Sequence, residues 1–199
     1  MAAVASIPLT DRCKVARPRW THETRRPRNY LLEDEVDAMI KAARRYRHGA
    51  RDGAMVLLGY RHGLRVSELV ALQWAHVDWK ASRLHVRRRK GSSDSVHPLQ
   101  ERELRILGAL QRLAKTAFIF ESERGGPMAK RNAQHTIEKA GRDAKLSFPV
   151  CAHMLRHGRG YQLANEGRTT RDIQDYLGHR NLNNVERYTK LAADRFKDF

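Results

Sequence analysis

Cysteine is almost missing from this chain, with Cys13 and Cys151 the only two in 199 residues. Two thiols so far apart make neither a disulfide framework nor a four-ligand zinc site, and both are expected to stay reduced in a cytoplasm. Long apolar runs are missing too. Nothing approaches the ~18 consecutive apolar residues of a membrane-spanning helix. The mildly apolar start, residues 1–9, lacks the basic lead and the length of a signal peptide. Acid is scarce: 22 Asp and Glu face 39 Lys and Arg, a formal net charge of +17. Such an excess repels itself in a compact fold unless a polyanion is the usual partner, and nucleic acid is the default candidate. A membrane-surface helix would set a lysine face against a broad apolar face, whereas here Arg and Lys are scattered over the whole length. The expectation is a soluble, intracellular protein, in a reducing cytoplasm, with nucleic acid as its partner.

Hydrophobic residues make up 41% of the chain, enough for a core. Residues 1–28, with Arg17, Arg19, Arg25, Arg26 and Arg28 and little periodicity, read as a basic, flexible tail. Residues 29–199 read as one folded domain. Leu32, Val36, Met39, Ile40 and Ala43 recur at helical spacing, with acids crowding the first turns where the helix dipole favours them. A second helix through Ala54, Leu57 and Leu58 stops near Gly63, and a third starts around Arg65 and carries Leu69 and Leu72. The period then changes to two. Val77 and Trp79, then Leu84 and Val86, alternate with polar residues, and Val96 and Pro98 begin a return strand after a turn at residues 91–94. Helical pattern resumes over residues 100–114, 130–144, 153–165, 170–177 and 183–191, with Gly167 and Gly178 at expected C-caps. The fold class is α+β, mainly helical, with a small antiparallel sheet.

Several groups could do chemistry, and each has an ordinary reading when taken singly. His153 and Arg156 lie three apart on one helix face and could converge on a phosphate, yet chance spacing in a chain this basic would produce such a pair. Arg65 and Glu68 could be a surface salt bridge, and the run Arg88-Arg89-Lys90 a solvated hairpin tip. His179 sits just past a glycine helix stop. Tyr188, nine residues on, would ordinarily be a half-buried packing residue with its hydroxyl in water.

Their order carries more than any one of them. Arg at a helix start, Lys on a hairpin, His-x-x-Arg, Gly-His and then Tyr resemble the ordered signature of the tyrosine recombinase and integrase family. His153-Met154-Leu155-Arg156-His157, Leu163-Ala164-Asn165 and Ile173-Gln174-Asp175-Tyr176-Leu177-Gly178-His179-Arg180-Asn181 are similar to the small fimbrial phase-variation invertases in particular. The resemblance covers residues 30–199 and implies a catalytic domain without the large N-terminal core-binding domain of phage and Xer-type recombinases.

What the resemblance implies is phosphoryl transfer, in which positioning and neutralisation of the phosphate oxygens do most of the work. Arg65 and Arg156 would clamp the scissile phosphate, Tyr188 would attack it and His153 would act as general base. Lys90 would protonate the leaving 5′ oxygen, with Arg89 its nearest competitor. His179 would donate a further hydrogen bond, and Glu68 would orient the site. An ester is exchanged for an ester, so no cofactor, nucleotide fuel or metal is expected, in keeping with the lack of a Gly-x-x-x-x-Gly-Lys-Ser/Thr loop. Inversion of a DNA segment, with transcriptional consequences, is favoured over integration or excision. The alternatives are a regulator that binds DNA without cutting and a type IB topoisomerase-like relaxase. The family also implies double-stranded DNA as the partner, a cytoplasmic, nucleoid-associated location and a tetramer on synapsed sites, while the short tail after Tyr188 leaves a monomer plausible without DNA. Gly158 departs from the family's usual Ser or Thr, and a glycine within a helix costs roughly 0.5–1 kcal/mol against Ala, so a loosened active-site helix is expected.

Overall fold

A computed structural model describes residues 28–88 and 93–190 of the chain. The expected tail, apart from Arg28, and the hairpin tip with Arg89 and Lys90 lie outside them. Eight α-helices are described: α1 Glu33–Ala43, α2 Gly49–Arg61, α3 Val66–Leu69, α4 Glu101–Gln111, α5 Lys130–Asp143, α6 Ala152–Asn165, α7 Thr170–Leu177 and α8 Asn183–Lys190. Between α3 and α4 run three short strands, β1 Val77–Asp78, β2 Arg83–Val86 and β3 Ser95–Pro98, antiparallel in the order β1-β2-β3. This is the mainly helical α+β architecture expected, with its small sheet in the expected place.

α2 organises the core. Residues 53–60 are buried on every face, as a central helix requires. α1, α4, α5 and α6 pack around it. Arg28 is already tied to this unit, ion-paired with Glu35 and with its guanidinium 5.2 Å from the Phe148 ring centroid. Tyr161, Leu163, Ile173, Leu177, Val185 and Tyr188 form a second apolar cluster, which joins α6, α7 and α8. α7 has the clearest ends. The Thr169 hydroxyl accepts from the Asp172 backbone N–H while the Asp172 carboxylate accepts from the Thr169 N–H, and Gly178 closes the helix in the left-handed conformation at φ 64°.

The sheet differs from the expected pattern in detail. Trp79 falls beyond β1 and is exposed, and α3 ends at Leu69, leaving Leu72 in the core but outside the helix. On β3 the apolar Val96 faces solvent at 52% exposure, while His97 points inward and is buried. The register explains it: His97 pairs with buried Leu84, and Val96 with exposed His85. His97 is accommodated by neighbours rather than by its own polarity. Its Nδ1 lies 3.2 Å from Nδ1 of His62, its Nε2 lies 2.9 Å from the Ser95 hydroxyl, and its ring stacks on Tyr176. Burial, with His62 and Arg88 nearby, pushes its pKa down to about 2, so the ring stays neutral.

Gly158 reverses the expectation of a loosened helix. A Cβ there would lie 2.4 Å from the Leu31 carbonyl oxygen and 2.9 Å from the Tyr60 ring. The glycine lets the chain entering α1 lie directly on α6. Gly158→Ala should therefore lower unfolding free energy by about 1–3 kcal/mol through overpacking, against the gain that helix propensity alone would give. Urea denaturation measures this, and unchanged or increased stability would contradict the packing account.

Candidate active site

Arg65 is the N-cap of α3, in extended conformation, and Glu68 is the third helical residue. That spacing lets the Glu68 carboxylate accept the Arg65 backbone N–H at 3.0 Å, covering one of the unsatisfied donors at the helix start. The same carboxylate accepts from Arg65 Nη1 at 2.7 Å and from Arg88 Nη1 at 2.8 Å. Burial alone would raise the Glu68 carboxyl. The Arg65 backbone N–H, the Arg88 guanidinium and the Arg65 side chain outweigh it and hold Glu68 below the ordinary carboxylate value. Arg65 Nη2 also reaches the Gly178 carbonyl at 3.5 Å, a weak contact that brings the residue before His179 beside Arg65.

Arg156 lies on the second turn of α6, almost wholly buried, and its Nη1 donates to the Gly63 carbonyl at 2.6 Å. Among the described residues its Nη2 has no hydrogen-bond partner. Burial, then Arg65 and Arg88, push its pKa down to about 9, which still leaves it cationic at neutral pH. His153, one turn earlier, is exposed. Partial desolvation, then the charges of Arg156 and Arg65, lowers its pKa from the ordinary value and so favours the neutral imidazole, the form that accepts a proton.

Tyr188 is fully buried. Its ring fills the space that a side chain at position 160 would occupy, since a Cβ on Gly160 would lie 2.7 Å from Cζ. Tyr161 meets it edge-on at 5.4 Å and the His179 ring lies 6.2 Å away, centroid to centroid. The hydroxyl lies 2.8 Å from Nδ1 of His157. Val185, one turn before, completes the buried face of α8.

Arg65, Glu68, His153, Arg156, His179 and Tyr188, drawn from four segments far apart in sequence, thus meet in one region. Three guanidiniums there face one carboxylate. An arrangement with that imbalance can bind a phosphate diester through planar donor forks, with a neutral imidazole and a phenol alongside. Lys90 and Arg89 lie outside the described residues. Sequence reasoning missed two participants. Arg88 was read as part of a solvated run, although the inward alternation of Leu84 and Val86 extends to it. His157 lies one turn from His153 on the same helix, a spacing that by itself points to no partner for it. Among the described residues no group of three or more His, Cys, Asp or Glu is placed to hold a metal ion.

Residues 29–195 match the phage integrase family. The chain belongs to that family of tyrosine recombinases. It is 42% identical over 176 residues to the type 1 fimbriae regulatory protein FimE of Escherichia coli K12, covering 85% of this chain and 89% of FimE. FimB of the same strain is 37% identical over 175 residues, covering 85% of this chain and 88% of FimB. The crystal structure of XerA recombinase superposes with a TM-score of 0.74 at 29% identity, covering 85% of this chain and 62% of that one. The chain therefore spans about three-fifths of the XerA chain but nearly all of the fimbrial proteins.

The neutral imidazole gives a direct check. Followed by NMR in the DNA-free protein, His153 should titrate below 6.5, and Arg65→Gln should move its pKa upward by removing a neighbouring cation. A midpoint at or above 6.5 in the unsubstituted protein would contradict the geometry described.

Proposed function

We propose that this protein cuts and rejoins DNA through a covalent 3′-phosphotyrosyl link at Tyr188. Family membership makes it a site-specific DNA recombinase, an enzyme of DNA strand breakage and rejoining. The observation that carries the residue assignment is the approach of Tyr188 to a buried, charge-excess cluster in which Arg156 retains an unused donor.

Arg65 and Arg156 would hold the two non-bridging oxygens of the scissile phosphate, with His179 donating a further bond. The charge on those oxygens grows as the phosphorus becomes five-coordinate, and donors fixed in advance stabilise it without reorganising. The phenol oxygen of Tyr188 attacks phosphorus as the bond to the 5′ oxygen breaks. A free phenol has a pKa of about 10 and attacks poorly at neutral pH. The surrounding guanidiniums favour the phenolate, and His153 would take the proton, with His157 steadying the hydroxyl beforehand. Lys90 would protonate the departing 5′ oxygen, and acid–base help of this kind contributes typically ~10²–10⁴-fold. Attack by another 5′ hydroxyl on the phosphotyrosyl ester reverses the step and joins a new strand. One ester replaces another, so the energy of the cut bond is retained.

Inversion of a DNA segment is the reading favoured for the biological outcome. Two relatives that align over nearly their whole length are fimbrial regulatory proteins, and their shared architecture with this chain supports it. Assembly would be tetrameric on paired sites and monomeric without DNA, in a cytoplasmic, nucleoid-associated pool. Nicked duplexes tiled across the DNA flanking the coding region should trap a covalent protein–DNA band that is lost in Tyr188→Phe. No band with either protein, alongside retained DNA binding, would instead support a regulator that binds without cutting.

A further inference from the structure

Arg88 stands in a basic run, Arg87 to Lys90, whose ordinary use in a DNA enzyme would be phosphate contact. Its environment is different. Along β2 and the residues that follow it, Leu84 and Val86 point inward, Arg83, His85 and Arg87 point out, and Arg88 falls on the inward row. Its side chain is 0% exposed. An arginine at that depth needs partners for its charge and its donors, and among the described residues both terminal nitrogens have them, whereas Nε has none. Nη1 donates to Glu68 and Nη2 to the Tyr176 carbonyl, one of the last carbonyls of α7. Cations are favoured at that end of a helix. The Arg88 stem also lies flat beneath Gly178: a Cβ on that glycine would come within 3.1 Å of Cγ, Cδ and Nε. Meanwhile the Arg88 backbone N–H donates to Asp94, closing the base of the hairpin.

One buried side chain therefore joins three segments that carry site residues: α3 with Arg65 and Glu68, the hairpin with Lys90 two residues on, and the end of α7 before His179. We propose that Arg88 is a positioning residue for strand cleavage, clamping Glu68 and the α7 terminus from beneath the site without touching DNA. This rests on the recombinase reading above. Through Glu68 it sets the Arg65 guanidinium, because a carboxylate shared between two arginines leaves Arg65 with donors free for phosphate. Glu68 deprived of Arg88 would draw Arg65 into a closer two-point pair and turn its remaining donors off the geometry that the reacting phosphate requires, while its charge stays at the site.

The test uses the full chain on the same nicked duplexes. Wild type must first give a Tyr188-dependent adduct; if it does not, the recombinase reading fails rather than this proposal. Arg88→Met should bind DNA with unchanged affinity and salt slope, yet form the adduct on the order of 10²-fold more slowly, as expected for displaced catalytic groups. The acid limb of its rate profile should also be steeper than that of the wild type, because Glu68, short of one cation, takes up a proton at higher pH and adds to the protonation of His153. Arg88→Lys should restore the wild-type pH profile and part of the rate. In a Glu68→Gln background, Arg88→Met should cost little further. That double variant removes both members of the buried Arg88–Glu68 pair together, so it supplies the comparison against Glu68→Gln alone should Arg88→Met fail to fold. An adduct rate within about twofold of wild type, a salt slope reduced by about one, or losses that multiply in the double variant would overturn the proposal.

Discussion

The shared carboxylate of Glu68 is the interaction on which the rest of the site depends. A buried carboxylate is costly unless paired and fully hydrogen-bonded, and Glu68 meets both conditions by accepting the Arg65 backbone N–H and two guanidiniums. Each of those bonds fixes something else. The backbone bond starts α3, the Arg65 bond aims a phosphate ligand, and the Arg88 bond ties in the hairpin and the end of α7. Three stretches, the start of α3, the hairpin and the end of α7, are joined because a single acid requires three donors.

The same region carries more positive charge than it neutralises. Arg156 lies beside Arg65 and Arg88 with Glu68 the one carboxylate opposing them, and its pKa is depressed first by burial and then by that repulsion. In the proposed reaction a DNA phosphate supplies the missing anion. The repulsion of the free protein is thus relieved on binding, and more fully as negative charge grows on the phosphate oxygens during reaction. The histidines add a second tuning. With guanidiniums close by, His153 is kept neutral, the form a proton acceptor needs. Among the described side chains of α8, Val185 and Tyr188 are buried against α6 and α7, so the proposed nucleophile is also an anchor of its own helix.

Much of this was legible because it rests on local rules. Thr169 and Gly178 mark the ends of α7 through capping chemistry, and the alternation of Leu84 and Val86 marks a strand. The order Arg65, His153, Arg156, His179, Tyr188 pointed to one site because the resemblance supplied the three-dimensional meeting that spacing alone does not. What escaped reading rests on tertiary contacts. His97 is buried and Val96 exposed because His62, Ser95 and Tyr176 await the imidazole from other elements. Arg88 resembles its solvated neighbours until Glu68 is known to lie above it. Gly158 has a poor helix propensity, and only the Leu31 carbonyl resting against it shows why the residue fits. His157 took no part in the sequence argument because its partner is brought in from 31 residues away.

The central claim is a covalent bond between one phenol and one DNA phosphate. Protease digestion of the trapped protein–DNA adduct, followed by tandem mass spectrometry of the nucleotide-bearing peptide, tests it most directly. The account predicts a phosphodiester on the Tyr188 oxygen, linked to a 3′ nucleotide, with a free 5′ hydroxyl on the released strand. A linkage to any other side chain, or to a 5′ phosphate, would contradict it.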